Sequence, residues 1–135
     1  MEKLSVSLED YIEEIYTQVL QNGYAKVTAI ANALGVKKAS VTGALNTLSE
    51  KKLINYAPYS SITLTSDGEK IAKKILQKHE NLCEFFKVVL NIPEKEAIET
   101  ACKMEHIVSE KLFKNMTKLT KFVKSEIKEQ IDNLY

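Results

Sequence analysis

Cys102, Glu105 and His106 stand at i, i+3 and i+4 of a stretch with helical periodicity. That spacing turns a thiolate, a carboxylate and an imidazole to one side of a helix. One soft sulfur, one borderline nitrogen and one hard oxygen suit a divalent transition ion such as Fe(II), Mn(II), Co(II), Ni(II) or Zn(II). His79, Asp10 and Glu13, from two other predicted helices, are the candidates to complete the set. Taken singly these residues have plainer readings: a buried thiol, a surface histidine, and, in Ser7-Leu8-Glu9-Asp10, a capping box with acidic residues favoured by the helix dipole. A rival grouping pairs His79 with Cys83 and Cys102 with His106, both at i, i+4, as a closed Cys2His2 zinc site in a constitutive DNA-binding or scaffold protein. Glu105 as the base of a metalloenzyme is a third reading, but no oxyanion donors accompany it, so no enzyme is expected.

The elements that position these groups are mainly helical. Ser7 to Gln21 places Leu8, Ile12, Ile15, Tyr16 and Val19 on one apolar stripe, with Gly23 just beyond. From Val27 to Leu53 two short helices follow with a tight turn between them. Thr28 is the expected cap of the first, Ile30, Ala31 and Leu34 share its inner face, and Gly35 ends it. Ala39 to Ser49 then buries Val41, Ala44, Leu45 and Leu48, leaving a small, polar and cationic outer face. This is the pattern of a helix-turn-helix whose second helix enters the DNA major groove. Base reading falls to Lys37, Lys38, Ser40, Thr42 and Asn46, because all nineteen basic residues are lysine and no arginine fork is available.

Leu53 to Tyr56 and Ser61 to Leu64 are β-prone runs about Ala57-Pro58-Tyr59-Ser60, the expected wing, with Tyr59 and Ser60 at its tip near phosphate or the minor groove. A long helix over Asp67 to Val89, one over Glu94 to Lys114 and a last over Leu119 to Leu134 exceed what a winged helix needs. They are expected to form a dimerisation unit, since a two-fold pair doubles the DNA contacts. The expected architecture is therefore a winged helix-turn-helix domain (1–72) followed by a helical metal-binding and dimerisation domain (73–135).

At 135 residues a large multidomain enzyme is excluded. The net charge of +1 hides a strong asymmetry. Residues 26–78 carry nine lysines, Lys26 among them, against three carboxylates, whereas residues 1–25 carry one lysine against five carboxylates. Basic charge thus surrounds the DNA reader. With no membrane-length apolar run and no secretory leader at the start, the expected location is the cytoplasm, where two cysteines are thiols or metal ligands.

Leu8-Glu9-Asp10-Tyr11-Ile12-Glu13-Glu14-Ile15-Tyr16, the reader at Val27 to Leu53, Leu64-Thr65-Ser66-Asp67-Gly68, His79 and the Cys102-x-x-Glu105-His106 cluster together resemble the diphtheria-toxin-repressor family of metal-dependent regulators, over nearly the whole chain. The short manganese-regulator branch is the nearer likeness, and the C-terminal SH3-like domain of the long iron regulators is not expected. The resemblance implies a repressor of metal-ion homeostasis that binds a palindromic operator as a homodimer once a metal is bound. It implies Asp10, Glu13, His79, Cys102, Glu105 and His106 as ligands, with Cys83 a further candidate where the family often has an acidic ligand. The site is a hybrid. Asp10 and Glu13 are typical of manganese regulators, whereas Cys102 is where iron regulators place cysteine and manganese regulators usually place glutamate. Ile98 replaces a histidine of the iron type. Thiolate favours Fe(II), with Mn(II) next and Zn(II) or Co(II) as further candidates. One ion is expected to bridge the two domains and hold the readers at half-sites one helical turn, about 34 Å, apart.

Overall fold

A computed structural model describes residues 4–135, which fall into two compact units divided between Lys74 and Ile75. No helix among the described residues is long and apolar enough to cross a membrane.

The first unit holds α1 (Val6–Asn22), α2 (Val27–Leu34), α3 (Lys38–Glu50), β1 (Ile54–Asn55), β2 (Thr63–Leu64) and the start of α4 (Ser66–Val88). Its interior is made by the predicted apolar faces: Ile12 and Ile15 of α1, Ile30 of α2, and Val41, Leu45 and Leu48 of α3, each essentially without solvent contact. Gly23 and Gly35 end α1 and α2 in the left-handed region, at φ 86° and 64°, and return their N–H groups to Val19 and Ala31. A side chain at either position would meet the left-handed steric penalty, which is why glycine stands there. The wing is a short antiparallel pair with Ile54 opposite Leu64 and Asn55 opposite Thr63. Ala25 and Ile62 exchange backbone hydrogen bonds of 2.8 and 2.9 Å, tying the wing to the segment before α2.

Two caps differ from expectation. Ser5, not Ser7, caps α1 by accepting from the Leu8 N–H, so the helix begins one residue earlier. Thr28 does not cap α2, which already begins at Val27 after Lys26. Instead the buried Gln18 of α1 accepts the Lys26 N–H at 3.3 Å, and its amide donates to Glu14 at 3.1 Å. A cap supplied from eight residues upstream leaves no local signature.

Thr65 starts α4: its hydroxyl accepts the Gly68 N–H at 3.1 Å and donates to the Lys52 carbonyl at 2.8 Å. Gly68 is buried so closely against Leu53 that a Cβ there would lie 1.9 Å from the Leu53 carbonyl oxygen. Gly68→Ala must therefore push the backbone of α4 away from Leu53. We expect it to lower stability by about 1–3 kcal/mol, read in a denaturant titration, and an unchanged midpoint would contradict this packing.

The second unit contains the remainder of α4, α5 (Glu94–Met104), α6 (Glu110–Phe122), a π-helical turn (Val123–Ile127) and α7 (Lys128–Leu134). Leu82, Phe86, Ala97, Ala101 and Val108 form its core, with Phe85, Ile92, Met104, Phe113 and Met116 packed around them. The single helix expected over Glu94 to Lys114 is broken here. It ends at Met104, turns through Glu105–Ile107, and restarts at α6, where Ser109 accepts the Leu112 N–H at 3.1 Å. Burial of Val108 in the core and the Ser109 cap outweigh continued helix propensity. The last helical segment likewise starts at Glu110 rather than Leu119.

Candidate functional site

The break after Met104 places Glu105 and His106 at the C-terminal end of α5, where the chain leaves the helix and carries both side chains inward. Glu105 is 4% exposed and His106 9%. Cys102, one turn earlier, is exposed, and His79 comes from the middle of α4. His79 Nδ1 lies 3.1 Å from Glu105 Oε2 and 3.7 Å from Cys102 Sγ, and His106 Nε2 lies 3.5 Å from Glu105 Oε1. Four predicted ligand residues thus converge within the second unit.

The donor set fits a metal. Donor atoms sharing one ion at bond lengths of about 2.0–2.3 Å lie about 3–4 Å from each other, the separation found for the pairs His79–Glu105, His79–Cys102 and Glu105–His106. A carboxylate buried to this degree needs compensating charge or hydrogen bonding, and the two imidazoles are the groups at hand on the protein side.

Cys83 also reaches His79, but through the other ring nitrogen: its Sγ is 3.8 Å from Nε2 and 3.6 Å from the Ala97 carbonyl oxygen. Burial pushes this thiol up, partly offset by Lys87, so it resists becoming the thiolate a metal requires. A Cys2His2 site would need both sulfurs on one ion, and here they address opposite edges of one imidazole. The arrangement favours the mixed thiolate, carboxylate and imidazole set.

Asp10 and Glu13 stand one turn apart on α1, Asp10 exposed and Glu13 half-buried. Within the first unit, a groove of about 930 Å3 brings together six of the eight residues expected at DNA: Lys26, Lys38, Thr42, Asn46, Tyr59 and Ser60. Lys37 and Ser40 are exposed at the start of α3 but do not line it. One wall is α3 and the other is the wing, and the Lys26 ammonium sits 5.4 Å over the Tyr24 ring. Such a cationic trough between a reading helix and a wing suits one sugar-phosphate strand. Tyr59 is fully exposed at the tip and holds φ 65°, with the turn closed by Ser60 Oγ donating to the Ala57 carbonyl at 2.7 Å. Thr28, Tyr56 and Pro58 also line the groove and were not anticipated there. Thr28 was taken up by its capping role, and only the folded wing brings Tyr56 and Pro58 opposite α3.

Known proteins agree with this layout. Residues 3–62 match the iron dependent repressor N-terminal DNA binding domain, and residues 65–130 match the iron dependent repressor metal binding and dimerisation domain. The chain is 40% identical over 114 residues to an HTH-type transcriptional regulator of Methanocaldococcus jannaschii, covering 84% of this chain and 91% of that one. It is 37% identical over 103 residues to the HTH-type transcriptional regulator MntR of Bacillus subtilis, covering 76% and 72%. The crystal structure of T. acidophilum IdeR superposes with a TM-score of 0.76 at 26% identity, covering 90% of this chain. This chain spans 56% of the length of that solved protein.

Proposed function

The chain belongs to the iron-dependent repressor family, and from that premise we propose that it is a metal-activated transcriptional repressor of metal-ion homeostasis, working as a cytoplasmic homodimer on a palindromic operator. The observation that carries this reading is the chain of contacts in which His79 Nδ1 lies 3.1 Å from Glu105 Oε2 and 3.7 Å from Cys102 Sγ, while His106 Nε2 lies 3.5 Å from Glu105 Oε1.

His79 and His106 are proposed to offer imidazole nitrogens, Glu105 a carboxylate oxygen and Cys102 a thiolate. Asp10 and Glu13, carried over from the family likeness, are proposed as further carboxylate ligands. A bound divalent ion would supply the positive charge that lets the buried Glu105 remain ionised and holds the thiol as thiolate. Glu105, reached by both histidines, orients them. Lys26 and Lys38 position phosphate, while Thr42 and Asn46 on α3 reach base edges. Because metal and DNA affinities are coupled free energies, metal must strengthen DNA binding by the same factor that DNA strengthens metal binding.

Fe(II) is proposed as the preferred ion, then Mn(II), with Zn(II) or Co(II) also accepted, since a thiolate weighs against the oxygen-preferring Mn(II). The test is an anaerobic DNA-binding titration with Fe(II), Mn(II) and Zn(II) in turn, oxygen being excluded because an exposed Cys102 thiolate oxidises. We expect at least tenfold tighter binding with Fe(II) than in chelator, corresponding to about 1.4 kcal/mol of coupling. Equal binding with chelator and with every metal would reject metal activation and favour the constitutive zinc-scaffold reading.

A further inference from the structure

Two glycines of the first unit lie inside helices at ordinary backbone angles, and they have opposite explanations. Gly68 is imposed by the fold, because a Cβ would strike Leu53. Gly43, in the middle of α3, is not. It is exposed, its φ is unexceptional, and a Cβ built there meets nothing within 4 Å. Glycine in a helix interior is disfavoured relative to alanine, through backbone entropy, with no gain inside this chain to offset it. The reason for the missing side chain must lie outside the chain.

Gly43 points roughly opposite to the buried Val41, Leu45 and Leu48, so it is at the crest of the face that enters DNA. The threonines nearest it in sequence turn their hydroxyl protons to the helix. Thr42 donates its hydroxyl to the Lys38 carbonyl at 3.0 Å, and Thr47 donates its own to the Gly43 carbonyl at 3.2 Å. Both hydroxyl protons are thus spent on the helix. The bare Cα of Gly43 itself offers guanine, cytosine and adenine no side-chain donor or acceptor. It complements the one apolar group in the major groove, the C5-methyl of thymine.

We propose that Gly43 is a specificity-determining residue whose absent side chain leaves room for a thymine methyl pressed against the backbone of α3. This rests on the DNA-reading function proposed above and deepens it by naming the base group read.

The test uses the full chain with Mn(II) and a 30-base-pair duplex selected by the wild type from a randomised library. Gly43→Ala should raise the melting temperature by about 2–5 °C, from helix propensity, while weakening binding to that duplex about tenfold, from overpacking. Each thymine is then replaced in turn by deoxyuridine, which lacks the methyl. At the contacted position the replacement should weaken wild-type binding about fourfold, the value of one methyl, and strengthen binding of Gly43→Ala. This exchange of sign is something a purely structural role cannot produce. A lowered melting temperature would mean that the fold requires the glycine, and undiminished binding by Gly43→Ala would mean that nothing approaches it; either overturns the proposal. Weakened binding that deoxyuridine rescues at no position overturns the thymine assignment. A wild type that selects no sequence with any metal overturns both this inference and the DNA-reading function, whereas selection by wild type with the other failures overturns this inference alone.

Discussion

Glu105→Gln abolishes metal-stimulated DNA binding, reducing metal affinity by about 100-fold or more and leaving the metal-free affinity for DNA unchanged. The size follows from position. Glu105 is the one predicted ligand in the second unit whose carboxylate is shared by both histidines, 3.1 Å from His79 Nδ1 and 3.5 Å from His106 Nε2. Losing its charge removes an anionic ligand and the partner that orients two neutral ones, effects that together exceed the ten- to hundredfold typical of an orienting group alone. Glutamine keeps the shape, so the buried pocket stays filled. Neutralising a buried carboxylate is not expected to lower the melting temperature of the metal-free protein. The measurement is a paired one: metal affinity by competition with a chromophoric chelator, and operator binding by anisotropy with and without metal. His106→Ala should follow the same pattern. Unchanged metal stimulation in both variants would remove this cluster from the mechanism.

Cys102→Glu converts the metal preference. The thiol is exposed, so the larger carboxylate is accommodated without disturbing the core of Leu82, Phe86, Ala97 and Ala101. Replacing a soft sulfur by a hard oxygen should weaken Zn(II) and Co(II) binding by about tenfold or more, while Mn(II) becomes the most effective activator. The ligand-to-metal charge-transfer absorption that a Co(II)-thiolate bond gives the wild type should vanish. Cys83→Ser, by contrast, should leave that absorption in place, because Cys83 faces the opposite nitrogen of His79 from Cys102. Loss of the band in Cys83→Ser would revive the closed two-thiolate zinc site. An unaltered metal ranking in Cys102→Glu would show that the thiolate does not set selectivity.

Much of this was legible in the chain. The 3.6-residue spacing of Ile12, Ile15, Tyr16 and of Val41, Leu45, Leu48 marked the inner faces of α1 and α3, all of which are buried. Gly23 and Gly35 marked helix ends that do adopt left-handed angles. The Cys102, Glu105 and His106 spacing marked candidate ligands, and in the fold His79 lies 3.1 Å from Glu105 and 3.7 Å from Cys102. These features are local. Each depends on residues within one or two turns, and the periodicity of an amphipathic helix or the steric freedom of glycine follows from the covalent chain alone.

Contacts between distant residues were not legible, because no local pattern encodes them. Gln18 caps α2 from across a loop, so the start of that helix was misread at Thr28. The helix over α5 stops at Met104 because Val108 is needed in a core built from α4 and α5, and that break is what turns Glu105 and His106 inward. Spacing alone paired His79 with Cys83 and Cys102 with His106, and left open which sulfur meets His79. Folding assigns them to opposite edges of the ring, half-burying Cys83 and leaving Cys102 exposed. The two helical glycines likewise look the same as letters, yet Gly68 is demanded by the carbonyl of Leu53 and Gly43 by nothing in the chain. Composition and periodicity were enough to indicate the fold class, the helix-turn-helix and the candidate metal-ligand types. Which donors face one another, and which helical glycine the fold itself requires, was decided by packing, since these depend on distances between segments that only the folded chain brings together.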